Sequence, residues 1–208
     1  MSVAAVKMDD IAPIRGRPRD PATDRRILDV AMALYADAGW AGFSFEVIAR
    51  KSGVGKSALY RRWRNKEELL TTLLAERWVT IDDIDTGKLR DDLVAFCMML
   101  LEHYTGRHGN FGFQLHLDVM RYPEAAAATL HYREAVKRNA RTMMRNAIDR
   151  GELPASIPPT LILDMLTGSV ISHVSATPPQ LRDQMTGTAP KFVQQLVTLL
   201  LKGVDGHR

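Results

Sequence analysis

FSFEVIARKSGVGKSALYRRWRNKEELL, residues 43–70, is the stretch on which the reading of this chain turns. Ser44 can cap a short helix, with Glu46 in its first turn and Val47 and Ile48 facing inward. Gly53 and Gly55 bracket a tight turn. A third short helix is expected from Lys56 to about Trp63, anchored inward by Leu59 and Trp63, four residues apart. Asn65 followed by Glu68 is a capping-box pattern, with asparagine as the cap. The helix it opens should run through Leu69, Leu70, Leu73 and Leu74 to about Trp78. Upstream, Asp20 and Pro21 start a helix whose inward face is Ile27, Leu28, Ala31, Leu34, Tyr35 and Ala38, with Gly39 as its expected stop. Three short helices with a glycine turn before the third make a helix-turn-helix. Charge agrees: Arg50 to Arg64 hold six basic residues and no acid, residues 1–64 carry +5, and residues 65–208 carry −1. A basic end beside a near-neutral bulk is the footprint of a polyanion partner.

A recognition helix must offer small and polar side chains to base edges while its neighbours hold phosphates. Gly55, Lys56 and Ser57 stand where base edges are reached, and Tyr60, Arg61 and Arg62 follow within reach of phosphate or base. The whole stretch resembles the DNA-binding domain of TetR-family repressors. The resemblance rests on Ile48-Ala49, Gly53-Val54, Leu59-Tyr60, Trp63 and Lys66-Glu67, and extends over residues 24–74. It departs at Gly55, where the family often has a serine cap, and at Ala58 and Trp63. The resemblance implies that Tyr60 and Lys66 contact phosphates, with Ser44 doing so from its helix N-terminus. It also implies a homodimer on a palindromic double-stranded DNA operator, and release of a repressed promoter by a small-molecule effector.

Residues 1–19 read as a disordered basic arm, residues 20–66 as the helix-turn-helix domain, and residues 67–208 as an antiparallel helical ligand-binding and dimerisation domain. The fold class is all-α. In the arm, Arg15 to Arg19 look like an AT-hook core, in which Arg17 would enter a narrow minor groove; a leader that only raises general affinity fits equally. Past an acidic connector at 82–87, Leu89, Leu93, Phe96, Cys97, Leu100 and Tyr104 share a helix face. Phe111, Phe113, Leu115, Leu117 and Val119 alternate with other residues as in a strand, but no second strand is available to pair with them, so a helix is expected. One long helix should run from Pro123 to Gly151 and another from Pro158-Pro159, with a last one near 190–202. These helices carry more apolar residues than one core face requires. Met99, His103, Tyr104, Phe113, His116, Met120, Met143, Met144, Met165 and His173 are candidates to line an effector pocket. Leu161, Ile162, Met165, Ile171, Phe192, Val193, Leu196 and Leu200 are candidates to pack two copies as a four-helix bundle.

Other functions fit less well. GVGKS at 53–57 ends like a phosphate-binding loop, but Arg50 stands where that motif needs glycine, and a helix precedes it rather than a strand. The histidines lack metal-site spacing, so neither a metal nor a cofactor is expected. No hydrolase or zinc-protease motif is present, and Cys97 on an apolar face reads as an inert thiol, so an enzyme is not expected. A constitutive DNA-binding protein without an effector is the competing class, distinguished by a sealed, fully packed C-terminal domain. A single cysteine, no apolar run of membrane length and no signal-peptide pattern place the protein in the cytoplasm, away from membranes.

Overall fold

A computed structural model describes residues 20–77, 84–106 and 109–205, and every element among them is helical. The elements are α1 (Pro21–Gly42), α2 (Phe45–Ser52), α3 (Lys56–Tyr60), α4 (Lys66–Arg77), α5 (Leu89–Thr105), α6 (Gly109–Arg121), α7 (Pro123–Ala128), α8 (Leu130–Asp149), α9 (Pro159–Ala176) and α10 (Arg182–Asp205), with a 3-10 turn at Pro179–Leu181. The N-terminal arm, Arg17 included, lies outside the described residues, as does Trp78.

Local chemistry sets most of the boundaries. Asp20 Oδ1 accepts the Ala22 N–H at 3.0 Å and starts α1, and Ser44 Oγ accepts the Val47 N–H at 3.4 Å and starts α2. Gly53 ends α2 in the left-handed region, at φ 67°, which glycine enters without steric cost. Asn65 Oδ1 caps α4 through the Glu68 N–H at 2.9 Å, but the reciprocal half of the box goes to the preceding residue: Glu68 Oε2 accepts the Arg64 N–H at 2.8 Å.

Gly39 stops the first helical run of α1 as expected, at φ 60° and ψ −167°, and the chain then turns helically again to Gly42. Only glycine fits there, because α6 crosses so close that a Cβ on Gly39 would lie 2.5 Å from Gln114 Nε2 and 2.9 Å from Asp118 Oδ2. Three other expectations need correcting. Helix α3 stops at Tyr60 rather than Trp63, because Arg61 and Arg62 turn the chain toward α4. The run after Pro123 is two helices, broken at Thr129, a fully buried residue whose Oγ1 turns back to the Ala125 carbonyl at 2.9 Å. Helix α10 begins at Arg182 and runs through Pro190, not from about 190.

Two apolar cores result. The first joins Ile27, Leu28, Tyr35, Ile48, Leu59, Trp63, Leu69 and Leu73 of the N-terminal helices with Phe111 and Leu115 of α6 and Ala125 of α7. The second joins α5, α8, α9 and α10, with Leu93, Cys97, Met144, Leu166, Val170 and Val197 at its centre. Phe113, on α6 between Phe111 and Leu115, packs against this second core.

Candidate nucleic-acid interface and effector cleft

Helix α3 is held from below and open above. Leu59 is fully buried, and Trp63 is nearly so, with its indole N–H donating to Thr72 Oγ1 at 2.9 Å. Burying each such side chain contributes about 1.5–3 kcal/mol. Arg62 also points inward. Its guanidinium pairs with Asp24 of α1 and donates to the Ala58 carbonyl at 2.9 Å. Arg62 therefore ties α3 to α1 and is not presented to a ligand, contrary to its placement among the DNA contacts. Gly55, Lys56, Ser57, Tyr60 and Arg61 are exposed.

Ser44, Lys56, Tyr60 and Lys66 line one shallow concavity of about 360 Å³, to which α2 and α4 both present their N-termini. Helix N-termini carry partial positive charge and free N–H groups, so two of them beside two lysines suit an anion. Tyr60 is 53% exposed, its ring edge-on to Phe45 with centroids 5.0 Å apart. Lys56 pairs with Glu46, an exposed contact that phosphates can displace; hydrogen bonding to Lys56 holds the Glu46 carboxyl below its ordinary range. Lys66 Nζ lies 3.9 Å from the Trp40 ring centroid and donates to the Trp40 carbonyl at 3.0 Å.

Trp40 also joins α1 to both α6 and α4. Its N–H, released by the Gly39 break, donates to Asp118 Oδ2 of α6 at 2.7 Å, and Gln114 Nε2 donates to Asp118 Oδ1 at 3.2 Å. Burial first, and then the Asp118 carboxylate, push the nearby Tyr35 phenol up. Sequence reasoning missed Asp118, because one acid among the several polar residues of α6 carries no local sign of a partner 78 residues away.

Beyond the DNA unit a cleft of about 470 Å³ opens between α5, α6, α8 and α9. Met99, His103, Tyr104 and His116 line it as expected from sequence, and Phe113 meets Tyr104 with ring centroids 5.1 Å apart. Burial, and then His116, lower His103 to about 4, so His103 is neutral at physiological pH. The other five candidates lie elsewhere. Met143 and Met144 are buried in the second core, where α8 packs inward. Met120 is 69% exposed near the end of α6. Met165 lies with Leu161 in a groove between α9 and α10, and His173 stacks on Phe192 of α10 at 3.9 Å. Sequence reasoning missed the α8 and α9 walls, above all Arg133, Lys137, Arg141 and Asp164, because apolar residues were taken as the pocket signal. Burial pushes the Cys97 thiol up to about 12, which leaves no thiolate at neutral pH. Among the described residues no group of three or more His, Cys, Asp or Glu side chains could hold a metal, and no helix is long and apolar enough to cross a membrane.

Comparison with known proteins finds two family matches along the chain. Residues 27–73 match the family described as bacterial regulatory proteins, tetR family, and residues 83–190 match the tetracyclin repressor-like C-terminal domain. The HTH-type transcriptional regulator YdeS of Bacillus subtilis is 25% identical over 194 residues, covering 92% of this chain and 94% of that protein. The DNA-binding transcriptional repressor TetR of Mycobacteroides abscessus is 36% identical over 88 residues, covering 41% of this chain and 44% of that protein. Among solved structures, the regulator FadR of Bacillus subtilis in complex with stearoyl-CoA superposes with a TM-score of 0.69 at 18% identity, covering 87% of this chain and 99% of that one, a likeness of fold. The C-terminal match alone spans more than half the chain, and with the open face of α3 and the paired helix N-termini it leads to one conclusion: the chain belongs to the tetracycline-repressor family of DNA-binding transcriptional regulators, and is not an enzyme.

Proposed function

We propose that the chain is a homodimeric repressor that binds a palindromic operator and releases it when a small effector, with a largely apolar body, fills the cleft between α5, α6, α8 and α9. The observation that carries this reading is the double use of Trp40. Its N–H is held by Asp118 of α6 and its carbonyl by Lys66 at the start of α4. Helix α6 lines the cleft through His116, so a ligand that shifts α6 acts on the position of Lys66 without any long lever. An effector can bias only what it binds differently in two states; here those states differ in whether the Trp40 bridge is intact. The open cleft argues against a constitutive DNA-binding protein. The repressor among the relatives, and the ligand carried by a protein of the same fold, support the same reading.

On DNA, α3 enters the major groove. Gly55, Lys56 and Ser57 approach base edges, while Ser44, Tyr60, Arg61 and Lys66 hold phosphates. The second copy packs against α9 and α10, where Leu161, Met165 and Leu199 are at least half exposed beside a groove of about 310 Å³. The test is fluorescence anisotropy on an operator recovered by genomic binding-site mapping. Lys66→Ala should weaken binding to operator and random DNA alike and lower the salt slope by about one. Lys56→Ala should change sequence preference, and Leu199→Glu should yield a monomer in sedimentation that no longer binds the operator. A stable monomer in the unaltered protein would overturn the assembly, and an unchanged salt slope in Lys66→Ala would overturn its role.

A further inference from the structure

The effector cleft is charged on one side. Arg133, Lys137 and Arg141 line it from α8, and residues spaced by four lie in one stripe along a helix. Facing them, α9 contributes one acid, Asp164, between Thr160 and Thr167. The floor is apolar and aromatic, built from Phe96, Met99 and Leu100, with His103 neutral. Lys137 shares its charge with Glu134 at 3.1 Å, a pair about half exposed on both sides and so of small worth. Among the described residues, neither Arg133 nor Arg141 has a carboxylate oxygen within 4.0 Å. The cleft therefore combines an apolar body with three cations, against one lining carboxylate, Asp164, and the exposed Glu134 beside them, whose carboxyl Lys137 first and then Arg141 and Arg133 hold below its ordinary range.

Resting on the reading of this cleft as the effector site, we propose that the effector is an amphipathic anion: a hydrophobic body seated on Phe96, Met99 and Leu100, with a carboxylate held by Arg133 and Arg141. Guanidinium groups suit this role, since their planar fork meets a carboxylate with two parallel hydrogen bonds. A neutral ligand of the same shape would offer no acceptor of matching charge to Arg133 and Arg141. A cationic ligand would meet three like charges. Asp164 works against the anion, and thereby limits affinity so that the ligand can leave.

The experiment measures binding of naphthoate and dodecanoate to the full chain by calorimetry, against naphthalenemethanol, dodecanol and dodecyltrimethylammonium. At least one acid should bind about tenfold or more tightly than its matched alcohol, the scale of hydrogen bonds to charged groups, and the ammonium should not bind. Arg133→Gln with Arg141→Gln should remove the preference while leaving the alcohol unchanged. Asp164→Asn should do the reverse and tighten the acid, a gain that misfolding cannot imitate. Leu163→Trp, which fills the cleft, should abolish binding of every probe. If the alcohols bind as well as the acids and Leu163→Trp blocks both, the cleft is the effector site but its ligand is not an anion. If Leu163→Trp leaves acid binding intact, or if no probe binds, the reading of the cleft itself falls with the proposal.

Discussion

Arg61 and Arg62 are adjacent, identical in chemistry, and set in opposite surroundings. A basic residue next to a recognition helix looks like a DNA contact, and sequence alone gives both the same role. Packing separates them. The turn that ends α3 at Tyr60 leaves Arg61 exposed and swings Arg62 onto Asp24 and the Ala58 carbonyl. The Arg62 side chain is only 14% exposed, so removing it leaves Asp24 unpaired and half-covered. Arg62→Ala should therefore lower stability by about 1–3 kcal/mol, read as a shift in the urea midpoint. Arg61→Ala should leave the midpoint in place and lower the salt slope of DNA binding by about one. A loss of DNA affinity in Arg62→Ala with no loss of stability would contradict the assignment. The exposed members of the recognition helix were legible in the sequence because turn glycines and helix caps are local. The partner of Arg62 was not, because Asp24 lies 38 residues earlier.

At the level of elements, helix starts with a side-chain cap were legible, while the uncapped starts of α8 and α10 were not. Asp20, Ser44 and Asn65 cap as their side chains dictate. The break at Thr129 has no glycine or proline to announce it. Helix α7 docks on α4, where Thr71 Oγ1 donates to the Ala128 carbonyl at 3.0 Å, and that contact fixes its direction independently of α8. Pro190 misled in the other direction, since a proline can stay inside a helix when the surrounding packing holds it. A third tertiary device is the clamp at the start of α5. Asp92 is fully buried. It accepts from the Thr86 N–H at 2.6 Å and from Arg150 Nη2 at 2.9 Å; Arg150 also reaches Asp85, at 3.1 Å, and Glu152, at 2.6 Å. Glu152 in turn accepts the Leu89 N–H, and that bond above all holds its carboxyl below the usual range. Arg150→Met should lower stability, because the fully buried Asp92 carboxylate loses its cationic partner and keeps only Thr86. A carboxyl bound more weakly to protons in the folded chain stabilises above its unfolded value and loses that contribution as pH falls through the lower folded value. Acid titration followed by circular dichroism should therefore show the loss beginning below about pH 4.3, the ordinary glutamate value, and Glu152→Gln should flatten it. An Arg150→Met melt matching the unaltered protein would show that the clamp contributes nothing.

Across the whole molecule, the two cores are not separable. Helix α6 gives Phe111 and Leu115 to the first and Phe113 to the second, and Asp118 holds the Trp40 N–H. The chain should therefore unfold as one unit. In calorimetry a single transition is expected, with its calorimetric and van't Hoff enthalpies equal after allowance for the proposed dimer. Operator DNA should raise that one midpoint, since any ligand that binds only the folded state stabilises the entire cooperative unit. Two resolved transitions, only one of them shifted by DNA, would refute the coupling.

The shared helix also bears on how such regulators can be recombined. A chimera that grafts residues 1–77 onto another sensor keeps the whole recognition surface but loses Phe111, Leu115 and Ala125 from the floor beneath it. It also loses the carboxylate that takes up the N–H freed at Gly39. If α3 reads the operator as proposed, swapping specificity between members of this fold means transplanting its exposed face, Gly55 to Arg61, and leaving its foundations with the protein that supplies α6.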